Sequence, residues 1–278
     1  MTNTKIKLPT EQCETCPAYA QLEQMGIKVG DFDRVVALAG NPNTGKSTLF
    51  NTLTGLKQHT GNWPGKTVTR AEGGYQFNGV KYKIVDLPGT YSLLSASQDE
   101  EVARDFILFG QPDCTIVVTD ATALERNLNL AIQVMEITDK VVVAVNLMDE
   151  ARRKGMDVDT RSLSRDLGVP AIPMTARTGE GVQALLSTIA EVIEGKTLTK
   201  PLRVEGTPEF QKAVSELTAL IEQAVPGIPN ARWLAIRLLD GDARVQNALT
   251  SGELGEIVAR QQSADVQFSR KMSVEGRQ

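Results

Sequence analysis

Cysteine and histidine are scarce in this chain: three cysteines and one histidine stand among 278 residues. So few thiols, in odd number, exclude a disulfide framework and suit a reducing compartment. Long apolar runs are missing too. No stretch approaches the roughly 20 residues of a membrane-spanning helix, and Met1-Thr-Asn-Thr-Lys-Ile-Lys-Leu-Pro-Thr10 lacks the apolar centre of a secretion signal. The chain is expected to be soluble, with no export implied. A basic excess is absent as well: 30 Lys and Arg against 34 Asp and Glu give a net charge of −4, which argues against nucleic acid as a partner.

What is present is globular in character, with 41% hydrophobic and 23% charged residues and length for one large or two modest domains. Arg34 to Ala39 is a short apolar, β-branched run ending at Gly40, as a buried parallel strand ends. Leu49, Phe50 and Leu53 follow at helical spacing up to Gly55. Residues 56–68 read as a long mobile loop. Two strands, 69–77 and 80–86, flank Asn78-Gly79, the favoured pair for a tight hairpin. Further strands are predicted at Cys114–Thr119, Val141–Asn146 and Val169–Met174, and helices near 97–109, 124–138 and 181–193. This alternation predicts an α/β doubly wound sheet with one antiparallel strand.

From about residue 196 the pattern becomes helical without strands, with candidates at 207–224, 230–239, 241–249 and 251–262. The chain therefore divides into a flexible leader over 1–33, an α/β domain over 34–195, a small all-helical domain over 196–262 and a polar tail over 263–278.

Gly40-Asn41-Pro42-Asn43-Thr44-Gly45-Lys46-Ser47 stands between the first strand and the first helix. Glycines let backbone N–H groups curl around phosphate oxygens, Lys46 reaches the outer phosphates, and Ser47 offers a hydroxyl to Mg²⁺ at the positive end of the helix. Asn146-Leu-Met-Asp149 closes a buried strand. Asp149 as a carboxylate can accept from N1–H and the exocyclic amine of guanine, a pair that adenine does not offer. Thr175-Ala176-Arg177 follows the last strand and would bring the Ala176 N–H near the guanine O6. Asp86-Leu-Pro-Gly89 ends the strand 80–86, where Asp86 can hold Mg²⁺ through water and the Gly89 N–H can sense a γ-phosphate; Thr67, in the mobile loop, can bring a hydroxyl to the same metal. These residues point to GTP binding and hydrolysis.

Gly40 to Ser47, Thr60-Gly-Asn-Trp-Pro-Gly-Lys-Thr-Val-Thr69 and Asp86-Leu-Pro-Gly-Thr-Tyr-Ser-Leu93, in this order, resemble the translation-factor-related class of small GTPases. More narrowly, they resemble the cytosolic region of the ferrous iron transport protein B family. Leu147-Met148 agrees with that family's guanine motif, and Arg232 to Asp242 resembles its helical domain, described as slowing nucleotide release. The resemblance covers about residues 34–260. It implies a Ras-like P-loop GTPase fold followed by a helical domain resembling a guanine-nucleotide dissociation inhibitor. A membrane permease absent from this chain would be its partner, at the cytoplasmic face of the inner membrane, and self-association is an open option.

The implied nucleotide contacts are Asn41, Asn43, Thr44, Gly45, Lys46, Ser47, Thr48, Asn146, Asp149, Thr175, Ala176 and Arg177. Mg²⁺ falls to Ser47, Thr67 and Asp86, and catalysis to Lys46, Thr67, Gly89 and Asn43. Likeness to potassium-activated relatives suggests K⁺ at Asn43 with the backbone carbonyls of Gly61 and Trp63. Thr90 stands where a Ras-like enzyme has its water-positioning glutamine, so slow turnover is expected.

Two other classes fit parts of the pattern: a ribosome- or tRNA-associated GTPase, disfavoured by the acidic balance, and a nucleotide-dependent interaction module with negligible turnover. Several features read as less than they suggest. Cys13 and Cys16 make half of a tetrahedral metal site, which a second copy would complete. His59 reads as a solvated loop residue, Asp99-Glu100-Glu101 as a helix N-terminus, and Trp63 as partly exposed in the loop or packed on the guanine-side surface or a partner.

Overall fold

The computed structural model describes residues 22–258 apart from 24, 28, 95, 96, 204, 253, 256 and 257. The apolar run before the glycine loop forms β1 (Arg34–Gly40), and left-handed Gly45 turns the chain into α1 (Lys46–Thr54), which stops at left-handed Gly55. There follow β2 (Gln58–Asn62), β3 (Thr69–Phe77), β4 (Val80–Asp86), α2 (Gln98–Gly110), β5 (Cys114–Asp120) and α3 (Leu124–Ile137). Next come β6 (Val141–Asn146), α4 (Met148–Arg153), α5 (Thr160–Leu167), β7 (Ala171–Pro173) and α6 (Val182–Ile193). Three more helices close the described chain: α7 (Pro208–Ala224), α8 (Ala231–Leu239) and α9 (Ala243–Thr250).

The seven strands make one sheet in the order β2-β3-β4-β1-β5-β6-β7. β3 pairs antiparallel with both β2 and β4, and every other pairing is parallel. The expected single antiparallel strand is β3. Its hairpin turns on Asn78 and Gly79 with φ of 49° and 84°, the two positive values of a type I′ turn. β1, β5 and β6 are buried on both faces, as parallel strands flanked by helices must be. Val36, Leu38, Ile116 and Val142 face α1 and α6 on one side. Val35, Ala37, Val117 and Val143 face α2 and α3 on the other.

Three expectations change. The loop 56–68 contains β2, an edge strand exposed along its whole length, so no apolar alternation marks it. α4 and α5 are short and polar, and only Leu163 and Leu167 give α5 an apolar side. The leader is not loose throughout: Leu22, Ile27 and Val29 are buried in the core, while Cys13 and Cys16 lie outside the described residues. The predicted helix over 251–262 falls largely outside them too.

α7 to α9 share the core of the α2–α3 face through Val214, Ile221, Trp233, Leu234 and Val245. Charged groups line this junction. Arg237 donates to Asp242 at 2.8 Å and to the Leu94 carbonyl at 3.1 Å, Arg104 lies 3.6 Å from Asp242, and Arg232 meets Glu136 at 2.8 Å. Burial opposes ionisation of Asp242, but the Arg237 hydrogen bond and its α9 cap hold the carboxyl below its ordinary pKa.

The connector before α7 is pinned across the end of α5. Lys200 N–H donates to the Gly168 carbonyl at 2.9 Å and Leu202 N–H to the Leu167 carbonyl at 2.8 Å. Gly168 has φ +69°, and a Cβ there would sit 1.8 Å from the Lys200 carbonyl oxygen. Gly168→Ala is expected to cost at least about 1 kcal/mol of stability from backbone strain alone, before the collision is added. Urea unfolding should show a lower midpoint at unchanged slope; an unmoved midpoint would show that this junction contributes nothing.

Candidate functional site

Four connections meet beyond the carboxyl ends of the parallel strands, where open α/β sheets bind ligands. The loop after β1 carries Asn41 to Lys46, the loop after β4 carries Asp86 to Gly89, and residues 146–149 and 175–177 follow β6 and β7. Asn146, 1% exposed, ties three of these chain segments together. Its Nδ2 donates to the Thr44 carbonyl at 2.8 Å, and its Oδ1 accepts from the Ala176 N–H at 2.9 Å. The Thr52 hydroxyl of α1 donates to the Ala176 carbonyl at 3.0 Å. The Ala176 N–H, expected to face a base, is thus engaged by Asn146.

Within the first loop, Thr44 donates its hydroxyl to the Asn41 carbonyl at 2.9 Å, and Asn43 and Gly45 both have positive φ. Gly45 permits close approach: a Cβ there would lie 2.3 Å from Asn146 Nδ2. Asn41 is 2% exposed, and neither polar atom of its carboxamide has a hydrogen-bond partner. Ser47, Thr48 and Asn43 are exposed at the mouth of the loop.

Lys46 is buried and donates to Asp86 Oδ1 and to the Leu87 carbonyl, the latter at 2.7 Å. Burial raises the pKa of the Asp86 carboxyl, and the Lys46 ammonium works against that rise. Leu87 N–H donates to the Leu38 carbonyl at 3.0 Å and Thr90 N–H to the Gly40 carbonyl at 3.3 Å, which lays Asp86 to Thr90 along the glycine loop. A Cβ on Gly89 would stand 3.5 Å from the Pro42 nitrogen. The Thr90 hydroxyl is turned inward and donates to the Ser92 carbonyl at 2.6 Å. Tyr91 is 44% exposed, with the Arg126 guanidinium 4.4 Å from its ring centre.

Leu147 crosses into α4 with φ 62°, a left-handed conformation that costs a leucine about 1–2 kcal/mol. That turn puts Asp149 in the first turn of α4, where Arg177 Nη2 lies 3.2 Å from its carboxylate.

Thr67 is not brought to Ser47: its hydroxyl donates to Gln98 at 3.1 Å, and neighbouring Lys66 pairs with Glu101 at 3.0 Å. Gln98 and Glu101 belong to the first turn of α2, and no local motif announces them as partners of the loop. Trp63, expected to be partly exposed, is 5% exposed, with its ring edge-on to Phe106 at 5.5 Å. Its indole N–H is buried without an acceptor, at a cost of about 1–3 kcal/mol. Its carbonyl accepts the Lys66 N–H at 3.0 Å, and Gly61 pairs with Arg70 across β2 and β3. His59 is exposed on β2, opposite Glu72. Among the described residues no cluster of His, Cys, Asp or Glu suits a metal by itself.

Residues 34–189 match the family model for ferrous iron transport protein B, and residues 207–275 match that of its cytosolic helical domain. The chain belongs to the ferrous iron transport protein B family. It is 39% identical over 213 residues to the Fe(2+) transporter FeoB of Escherichia coli K12, covering 74% of this chain and 27% of that protein. It is 37% identical over 240 residues to the Fe(2+) transport protein A/Fe(2+) transporter FeoB fusion protein of Porphyromonas gingivalis, covering 84% of this chain and 28% of that protein. The chain thus spans about a quarter of the length of these relatives. In structure it is similar to the cytosolic domain of the T. maritima FeoB iron transporter in a GDP form, with TM-score 0.73, 32% identity and coverage of 86% of this chain and 98% of that one. The fold is accordingly a Ras-like GTPase fold joined to the family's helical part.

Removing the Asn146 carboxamide strands two backbone groups, the Thr44 carbonyl and the Ala176 N–H. At about 1–3 kcal/mol for each buried orphan, Asn146→Ala is expected to lose about 2 kcal/mol or more of stability. The measurement is urea unfolding without nucleotide; wild-type stability in the variant would show that water replaces the tie without cost.

Proposed function

We propose that this chain binds guanine nucleotide and hydrolyses GTP slowly, as the regulatory switch of a ferrous iron transporter whose membrane permease is its partner. The observation that carries this reading is the convergence of the glycine loop, Asp86, Asn146 and Ala176 beyond the carboxyl ends of the parallel strands, cross-linked by Asn146 and by Lys46. Base recognition falls to Asp149, whose carboxylate accepts from the two guanine donors, with Asn146, Thr175, Ala176 and Arg177 shaping the pocket. Phosphates fall to Asn41, Asn43, Thr44, Gly45, Lys46, Ser47 and Thr48 at the N-terminus of α1.

The donor set suits Mg²⁺, a hard cation that takes oxygen ligands: the Ser47 hydroxyl in the first turn of α1 and the half-buried Asp86 carboxylate, whose burial raises its pKa and so favours a cation beside it. Mg²⁺, when bound, neutralises charge on the outer phosphates. A phosphate draws Lys46 away from Asp86 and the Leu87 carbonyl and so frees the carboxylate. Thr67 must exchange Gln98 for the site, and that exchange makes 63–68 the moving loop. Gly89, against Pro42, places its N–H where a γ-phosphate is sensed. Slow turnover agrees with the inward Thr90 hydroxyl and with Tyr91, since neither a threonine nor a tyrosine hydroxyl is a good general base.

Asn43, exposed at the loop's mouth, is the side chain available to a monovalent cation. The carbonyls of Gly61 and Trp63 can join it only if the loop leaves its seat on Phe106.

Two measurements test this function. Asp149→Ala is expected to abolish the preference for GTP over ATP in equilibrium binding, while Lys46→Ala weakens both by about tenfold or more, the worth of a charged hydrogen bond. Equal GTP and ATP affinities in the parent chain would remove the guanine assignment. Initial GTP turnover is expected to be faster in K⁺ than in Na⁺ buffer, with the difference lost in Asn43→Ala; equal rates in the parent would remove K⁺ as a cofactor.

A further inference from the structure

The segment ahead of β1 lies outside the residues matched by either family model, yet it packs directly on the loop that carries Trp63. It is anchored at both ends. At one end Leu22 is buried against the C-terminus of α2, where a Cβ on Gly110 would come 3.2 Å from Leu22 Cδ2 and 3.5 Å from Met25 Sδ. At the other, Asp33 exchanges hydrogen bonds with Lys81 at 2.8 Å, and Phe32 covers β3 so closely that a Cβ on Gly74 would meet its ring at 2.2 Å.

Between the anchors, the Met25 carbonyl accepts from Arg70 Nη1 at 3.0 Å, and the same guanidinium lies 5.6 Å from the centre of the Trp63 ring. Gly26, with φ +79°, passes between Arg70 and Pro64: a Cβ there would fall 2.3 Å from Arg70 Nη1 and 3.1 Å from Pro64 Cγ. The indole of Trp63 makes no hydrogen bond in its seat, so enclosure by Phe106, Arg70 and the segment over Pro64 is what holds it.

We propose that the described residues of the segment 22–33 form a strap that holds the 63–68 loop on α2 and thereby sets how readily that loop opens to exchange nucleotide. The proposal rests on the reading of 63–68 as the moving loop. Opening must lift Trp63 off Phe106, and the Arg70 guanidinium above the ring is fixed on one side by Glu72, at 2.7 Å, and on the other by the Met25 carbonyl of the strap. Loosening the strap leaves Arg70 with Glu72 alone and clears the path over Pro64.

The test uses the whole chain with Trp233→Phe, so that Trp63 is the single indole, and compares Leu22→Ala and Gly26→Ala with that parent. Acrylamide quenching of Trp63 without nucleotide is expected to rise in both variants, and release of fluorescent GDP to quicken about fivefold, a modest coupling between strap and site. Unchanged quenching and unchanged release in both would overturn the strap. Quenching that rises in the variants, but does not respond to a GTP analogue with Mg²⁺ in any chain, keeps the clamp. It would overturn the moving-loop reading and with it the role in exchange. Should Leu22→Ala fail to fold, Gly26→Ala, which leaves every core side chain in place, decides.

Discussion

The side chain of Asn146 donates to the Thr44 carbonyl and accepts from the Ala176 N–H, so one residue at the end of β6 joins the loop after β1 to the loop after β7. Both bonds are buried, where an amide bond is stronger than in water and an unmade one is expensive. Much else follows from this bridge. Gly45 must lack a side chain because the carboxamide occupies the space its Cβ would need, and Leu147 accepts a left-handed conformation immediately after it. The loops after β1 and β7 are thereby tied at a fixed separation, which on the proposed reading preorganises the site for nucleotide.

Charge is arranged around that frame with competition in mind. Lys46 satisfies itself on Asp86 and the Leu87 carbonyl, and its ammonium offsets part of the cost that burial puts on the Asp86 charge. On the proposed reading, a phosphate and a divalent cation would offer each partner a stronger mate. Thr67 and Lys66 are likewise committed to Gln98 and Glu101 on α2. Each separation is a local event, but both involve the ends of elements that lead away from the site.

Those elements reach the helical part. Arg237 of α8 binds the Leu94 carbonyl, downstream of Asp86, while Asp242 at the head of α9 holds Arg237 and faces Arg104 of α2. Such buried charges gain little net stability over an apolar pair, because desolvation offsets attraction, yet removing one partner leaves the others exposed to the full cost.

The sequence by itself determined the parts of this protein that obey local rules. Asn78-Gly79 specified the hairpin, β-branched runs specified the buried strands, and the glycine spacing from Gly40 to Ser47 specified a turn between a strand and a helix. What it left illegible depended on partners remote in the chain. β2 is an edge strand with polar residues on both faces, so no periodicity betrays it; α5 is too polar and short to show a helical stripe. Trp63 reads as a loop residue until Phe106 and Arg70 close on it, and no local pattern pairs the Thr67 hydroxyl with Gln98 on α2. Past Cys13-x-x-Cys16 the leader has no motif, and only packing shows Leu22, Ile27 and Val29 inside the core. Backbone preference and residue chemistry are written in neighbours along the chain, whereas burial and hydrogen-bond partnership are settled by whichever groups the fold brings within reach.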